Sequence, residues 1–315
     1  MTRIAVTGSV AFDNIMVFPG KFGDHILPEK THIINVSFLV DRLDRRRGGN
    51  AANIAYTLAL LGETPLLAAA VGNDFDSFGA ALTASGVDVS AALHCTDIAT
   101  ACCFITTDLD NNQITAFFPG AMSRAGDIDL RTLGDVEYVV VSPDAPDAMA
   151  AHIEQSAALG ARLVFAPAQQ LPAMSEETLR AGLDGAWLVA GNDYEFELIL
   201  SRTGRSPQDL AKSGAIVAVT HGHEGSDIHG EGDVVHIPVA QPSSIVDPTG
   251  AGDAYIAGVL AGIRRGATLS DAGRMGALAA TYVIENNGTQ AHAYTAADFE
   301  ARYRATFNAE VVASS

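Results

Sequence analysis

The run Asp247-Pro-Thr-Gly-Ala-Gly-Asp253 combines small, flexible positions with an acid at the start of a helix-forming stretch, Ala254 to Ile263. A helix start leaves backbone N–H groups unpaired and carries the positive end of the helix dipole, so it cradles an anion. An ionised acid in the same turn can take a proton from a hydroxyl beside that anion. Cradle and base within one turn point to phosphoryl transfer to an alcohol. The plainer alternative is turn chemistry, with Pro and Gly at turn positions and an acid capping a helix.

Other segments offer matching chemistry. Gly48-Gly49-Asn50-Ala-Ala-Asn53 opens a helix directly after the basic run Arg45-Arg46-Arg47. It reads either as a glycine turn with an Asn cap or as close backbone approach to a polyol, with an amide on a hydroxyl. The arginines are either a solvated charge run or neighbours of a phosphate path. Asp13, after the first strand, is a turn residue or an acid that accepts from two adjacent hydroxyls. Asn192-Asp-Tyr-Glu195 has capping-box spacing, and the same pair can organise Mg²⁺, which favours oxygen ligands and retains water. Thr220-His-Gly-His-Glu-Gly225 is a glycine turn after a strand, and its two histidines read as surface loop, not a metal site. Phe104, Phe117 and Phe118 lie on an expected hairpin, as core or as walls for a flat base. Gln169 and Gln170 follow a strand and have the donors and acceptors to read a base edge.

Several families are excluded. There is no Gly-x-x-x-x-Gly-Lys-Ser/Thr loop, no protein-kinase His-Arg-Asp or Asp-Phe-Gly, and no Gly-x-Gly-x-x-Gly after the first strand. A net charge of −18 argues against nucleic-acid or anionic-membrane partners.

Asp247 to Gly258 resembles the C-terminal signature of the ribokinase-like, or PfkB, carbohydrate and nucleoside kinases, and Gly48 to Asn53 their N-terminal signature. The resemblance implies Asp253 as catalytic base, with Gly250, Ala251 and Gly252 supplying the anion hole. It further implies Asp13, Gly49 and Asn53 on the sugar, and Thr220, Gly222 and Gly225 beside ATP. Asn192, with Gly250 and Gly252, would face the ATP phosphates, and Asn192 with Glu195 would organise Mg²⁺, partly through water. Family members often dimerise through a β-lid and respond to monovalent cations such as K⁺, so a homodimer is expected. The strings Ser37-Phe-Leu-Val, Phe118-Pro-Gly-Ala-Met, Gln169-Gln170-Leu, Asn192-Asp-Tyr-Glu and Gly288-Thr-Gln are similar to bacterial adenosine kinases and related purine nucleoside kinases. Phe104, Phe118, Gln169 and Gln170 would then take the base, and adenosine would be the acceptor. Ala166 departs from the pattern, since many relatives carry Asp there. A broad nucleoside kinase, a ribose or fructose kinase, and a non-catalytic nucleoside sensor are the competing readings.

These positions need a scaffold. The chain has 315 residues, 48% of them hydrophobic, which suffices for one large α/β domain. Apolar strands near 4–7, 65–71, 138–141, 163–166, 187–190 and 216–219 alternate with helices near 50–61, 75–85, 146–159, 176–183, 193–201, 251–265, 270–285 and 295–307. That alternation predicts a doubly wound, mainly parallel α/β sheet. Residues 1–13, 46–95 and 120–315 form the expected large domain. Residues 14–45, with β-like Thr31 to Ser37, and 96–119 form an expected β-lid that excludes water from the transfer. No apolar run approaches the roughly 18 residues of a membrane span. The N-terminus reads as strand and turn, not a signal peptide. Cys95, Cys102 and Cys103 offer no disulfide framework. A cytoplasmic location is expected.

Overall fold

The structure is a computed structural model describing residues 3–26 and 35–312. In chain order its strands are β1 (Arg3–Thr7), β2 (Ala11–Val17), β3 (Arg42–Gly48), β4 (Pro65–Ala68), β5 (Ala70–Gly72), β6 (Leu93–Cys95) and β7 (Ala101–Thr107). They continue with β8 (Gln113–Phe118), β9 (Val136–Val141), β10 (Arg162–Phe165), β11 (Ala186–Asn192), β12 (Ile216–Thr220), β13 (Ser226–Gly230) and β14 (Asp233–Ile237). The helices are α1 (Asn50–Leu60), α2 (Asp76–Ala84), α3 (Pro146–Leu159), α4 (Glu176–Gly185), α5 (Asp193–Thr203), α6 (Pro207–Lys212), α7 (Ala251–Arg264), α8 (Leu269–Ile284) and α9 (Ala296–Phe307).

The main sheet has the order β14-β13-β12-β11-β10-β9-β1-β4 and is parallel from β12 to β4. Its parallel strands are largely apolar because both faces are covered. Alternate residues enter opposite layers. Val6, Val140, Val164 and Leu188 pack with α1, α7 and α8, whereas Ala5, Val139, Leu163 and Val189 pack with α3 to α6. α7 and α8 meet closely, since a Cβ on Gly258 would lie 2.6 Å from the Gly276 Cα. This contact seats the middle of α7 against α8.

The sheet is doubly wound as expected, and several local features differ from the sequence reading. Residues 65–71 form two strands, and β5 leaves the main sheet to pair with β6. The β13–β14 hairpin and α6 carry weak signals, because they are short and interleave polar residues. The second sheet, β3-β2-β7-β8, contains the expected hairpin but begins at Ala11 and ends at Gly48. One continuous antiparallel ladder from Ala11↔Gly48 to Val17↔Arg42 draws Asp13 and all three arginines into it. Asp13 is therefore a strand residue, not a turn residue. Asn35 to Ser37 form no strand, and 31–34 lie outside the described residues.

Candidate active site

The carboxyl ends of the parallel strands, where open α/β sheets bind ligands, gather the chemistry-bearing residues. Gly250 caps α7 in the left-handed region, with φ of 82°. A side chain there would strike Thr289, whose Cγ2 would lie 2.9 Å from an added Cβ. Asp247 holds the preceding turn by accepting from the Thr249 N–H at 3.0 Å. No side chain caps α7, so its first-turn amides remain available to an anion.

Asp253 is buried at that helix start, 7% exposed. Asn50 donates to one of its carboxylate oxygens and Asn53 to the other, each at 2.9 Å. The Asn50 Oδ1 accepts from Gln169 at 2.8 Å, and the Asn53 Oδ1 from Gln290 at 2.9 Å. Ser9 seats α1 by accepting from the Asn50 N–H at 3.0 Å. Burial raises the Asp253 pKa from 3.8 to about 6, the two amides oppose the rise, and Glu195 adds to it. The acid is thus ionised at neutral pH and poised to accept a proton.

Asp13 lies on the small sheet, on the same face as Arg46 and Cys103. Burial raises its pKa to about 6, with Arg46 opposing and Asp247 adding. Arg46 pairs with Asp44 at 3.3 Å and Asp247 at 3.7 Å and donates to Asn287 at 2.6 Å. Arg45 points the other way, paired with Asp74 at 2.6 Å and set over the Phe12 ring at 3.7 Å. The basic run is thereby divided between two faces of one strand, and only Arg46 joins the site.

Two cavities meet at α7. A polar one of about 190 Å³ is lined by Asn50, Gln169, Asn192, Glu195, Gly250 and Asp253 among others. A largely apolar one of about 500 Å³ lies between Thr220–Ser226, the 239–245 segment, and Ala277, Ala280 and Ile284 of α8. Thr220, Gly252 and Tyr255 border both.

The pfkB family carbohydrate kinase model matches residues 12–296. The chain belongs to the PfkB family. A nucleoside kinase of Methanothermobacter thermautotrophicus is 33% identical over 261 residues, 81% of this chain and 84% of that protein. The nucleoside kinase of Burkholderia thailandensis, solved with inosine, superposes with a TM-score of 0.87 at 36% identity, covering 98% of this chain and 99% of that one. The same enzyme has been solved with ADP and inosine. The Methanocaldococcus jannaschii nucleoside kinase, an archaeal member of the ribokinase family, gives 0.84 at 27% identity, covering 97% and 99%. The fold is ribokinase-like.

Within this PfkB site the expected residues divide. Asp13, Gly49, Asn53, Asn192, Glu195, Thr220 and Asp253 converge at the carboxyl edge of the sheet. Gly222 and Gly225 border the larger cavity. Asn192 and Glu195 form the capping box of α5, with Glu195 N–H on the Asn192 Oδ1 at 2.8 Å and Asn192 N–H on Glu195 at 2.9 Å. Burial raises the Glu195 pKa. The Glu195 carboxylate and the Asn192 amide oxygen border the polar cavity, and such oxygen donors suit a divalent cation that keeps its water. Among the described residues no group of three His, Cys, Asp or Glu is placed to hold a metal unaided. His221 is instead 3.2 Å from Asp227, which also holds His236 at 2.8 Å.

Two expectations are corrected. Phe104 and Phe118 stand on the far side of the small sheet, sharing the face of Cys102 and Phe12. Strand alternation puts Phe117 on the Asp13 face, opposite Cys103. Gln170 does not line the polar cavity, whereas Gln169 does and is bonded to Asn50. Asn50, Ser9 and Gln290 belong to the hydrogen-bond network around Asp253, and motif reading overlooks them. The Gly288-Thr-Gln string was the visible signal for Gln290, without indicating its partner.

Proposed function

We propose that this protein transfers the γ-phosphoryl group of ATP to the 5′-hydroxyl of a nucleoside. The carrying observation is Asp253, a buried, amide-held carboxylate at an uncapped helix start where two cavities meet. The apolar cavity suits the adenosine part of ATP, with Thr220, Gly222 and Gly225 alongside. The phosphates then point to the α7 amides of Gly250, Ala251 and Gly252. Asp13 takes the acceptor's ribose hydroxyls, Gly49 permits its close approach, and Asn53 supports the base. Phe117 gives the nucleobase a flat wall, with Gln169 at its edge. Asp253 removes the hydroxyl proton as the new O–P bond forms, while positioning and electrostatics do most of the work. Asn192 and Glu195 would hold Mg²⁺ through water, where the ion offsets phosphate charge.

Adenosine is the acceptor favoured by the local strings, and inosine is held by the B. thailandensis neighbour. A coupled ADP-release assay with adenosine, inosine, guanosine, cytidine, ribose and fructose tests the reading. We expect purine nucleosides to give at least tenfold higher kcat/KM than either sugar. Higher turnover with ribose or fructose would make this a sugar kinase. Nucleoside binding without ATP turnover would make it a sensor.

We propose also that two copies pair through the outer face of the small sheet. That face exposes Leu43, Phe104, Ile114 and Phe118, and every residue of the edge strand β8 is exposed. Isolated exposed apolar residues are ordinary, but a contiguous row beside an open strand edge marks a contact. Light scattering at micromolar concentration should give a dimer mass, and Phe104→Lys with Phe118→Lys should give a monomer. A monomeric wild type would refute the pairing. Among the described residues no helix is long and apolar enough to cross a membrane.

A further inference from the structure

We propose that Gln290 is a positioning residue for the base, locking the Asn53 amide so that it offers Asp253 only its N–H₂ edge, with Gln169 doing the same for Asn50. The inference rests on Asp253 being the base. An ionised carboxylate only accepts hydrogen bonds, whereas an Asn side chain turned by 180° exchanges its donor for an acceptor. The network leaves no such freedom. Gln169, Asn50, Asp253, Asn53 and Gln290 form one line with links of 2.8, 2.9, 2.9 and 2.9 Å. Each Gln donates to the Oδ1 of its Asn, so each Asn must donate onward to Asp253.

The two ends are not equal. Gln169 is exposed on the loop after β10, where water can replace it. Gln290 is 6% exposed and Asn53 5% exposed, so a donor lost there is not readily replaced. Gln290 makes this single polar contact, since its Oε1 has no partner among the described residues. Thr289 anchors the loop, donating to the Arg47 carbonyl at 3.1 Å. The charged group acting on Asp253 is Glu195 of α5, while α1, the 166–170 loop and the 288–290 loop present amides. Removing the Gln290 donor lets Asn53 turn its oxygen toward the carboxylate. The ionised base is then disfavoured, and its orientation is lost.

The test is the pH profile of kcat/KM with ATP and adenosine, or inosine if it is the better acceptor, for Gln290→Met and Gln290→Glu in the full chain. Gln290→Met should lower kcat about tenfold, leave the KM for ATP unchanged, and move the acidic limb up by about half a pH unit or more. Gln290→Glu, which when ionised accepts from Asn53 and turns its amide, should lose more activity at pH 8 than at pH 5.5. In an Asp253→Asn background, Gln290→Met should have no further effect on residual turnover. An unmoved limb, or an equal loss in both backgrounds, means that Gln290 only packs and overturns the proposal. Should Gln290→Met fail to fold, the pH dependence of Gln290→Glu decides. Full activity in Asp253→Asn itself would instead remove the base assignment.

Discussion

Replacing Asp253 with Asn should leave a folded protein whose kcat is lower by about 10²-fold or more, with little change in the KM for ATP. Asparagine keeps the shape and one acceptor oxygen, but its N–H₂ meets the donor edge of the other amide, Asn50 or Asn53, and it cannot take a proton. The pH dependence carries the same information. Asp253 and Asp13 both have pKa values raised to about 6, so wild-type kcat/KM should fall below pH 6 with a slope approaching two. In Asp253→Asn only the Asp13 limb should remain. Stability moves oppositely. A carboxyl whose folded pKa exceeds its unfolded value contributes stability that is fully present below the unfolded value and lost as pH rises through the folded one. The window for Asp253 therefore runs from about 4 to about 6. Above it the buried charge costs up to about 3 kcal/mol, at 1.36 kcal/mol per pKa unit. Asp253→Asn removes that pH-dependent cost, while one amide donor is left facing its N–H₂, so its melting temperature should fall less between pH 4 and pH 8 than that of the wild type. Activity within tenfold of wild type would rule Asp253 out as the base.

Gly49→Ala should be among the most damaging single-methyl changes at the site. Gly49 caps α1 with φ of 92°, in a region that L side chains rarely adopt. An added Cβ would lie 2.5 Å from the Ser9 carbonyl oxygen, 2.7 Å from the Val10 Cα and 2.8 Å from the Ala11 nitrogen. All three are backbone atoms of the β1–β2 connection, so no rotamer change relieves the contact. Relief requires moving the start of α1, which carries Asn50 and Asn53 away from Asp253. We expect a loss of more than about 3 kcal/mol by urea denaturation, and at least a tenfold loss of kcat in whatever folds. Gly222→Ala is the control. It has positive φ, 57°, but nothing within 4 Å of the added Cβ, so it should cost only about 1 kcal/mol. Equal effects of the two substitutions would show that the β1–β2 backbone yields, and that Gly49 is not what seats α1.

Which parts of this architecture are legible without coordinates depends on the range of the interaction involved. Asp253 at a glycine-rich helix start, the capping box of Asn192 and Glu195, and the alternation of apolar strands with helices are encoded within a few residues of one another. Caps, turns and periodicity therefore reveal them, and with them the carboxyl edge of the sheet. β3 escaped because Arg42 to Gly48 looks like a charge run, and its distant partners Asp74 and Asp247 are recognisable only once the strand is paired. Phe117 could not be preferred to Phe104 or Phe118 beforehand. Alternation is visible in a strand, but which face turns inward depends on register with β2, and a one-residue shift reverses every side chain. Gln290 is 237 positions from Asn53 and meets it only when α1 and the 288–290 loop close over α7. The sequence alone therefore determined the acid at the glycine-rich helix start and the scaffold that carries it. The tertiary structure decided which amides hold that acid and which aromatic shares the face of Asp13, because those contacts arise from packing between distant segments and leave no local trace.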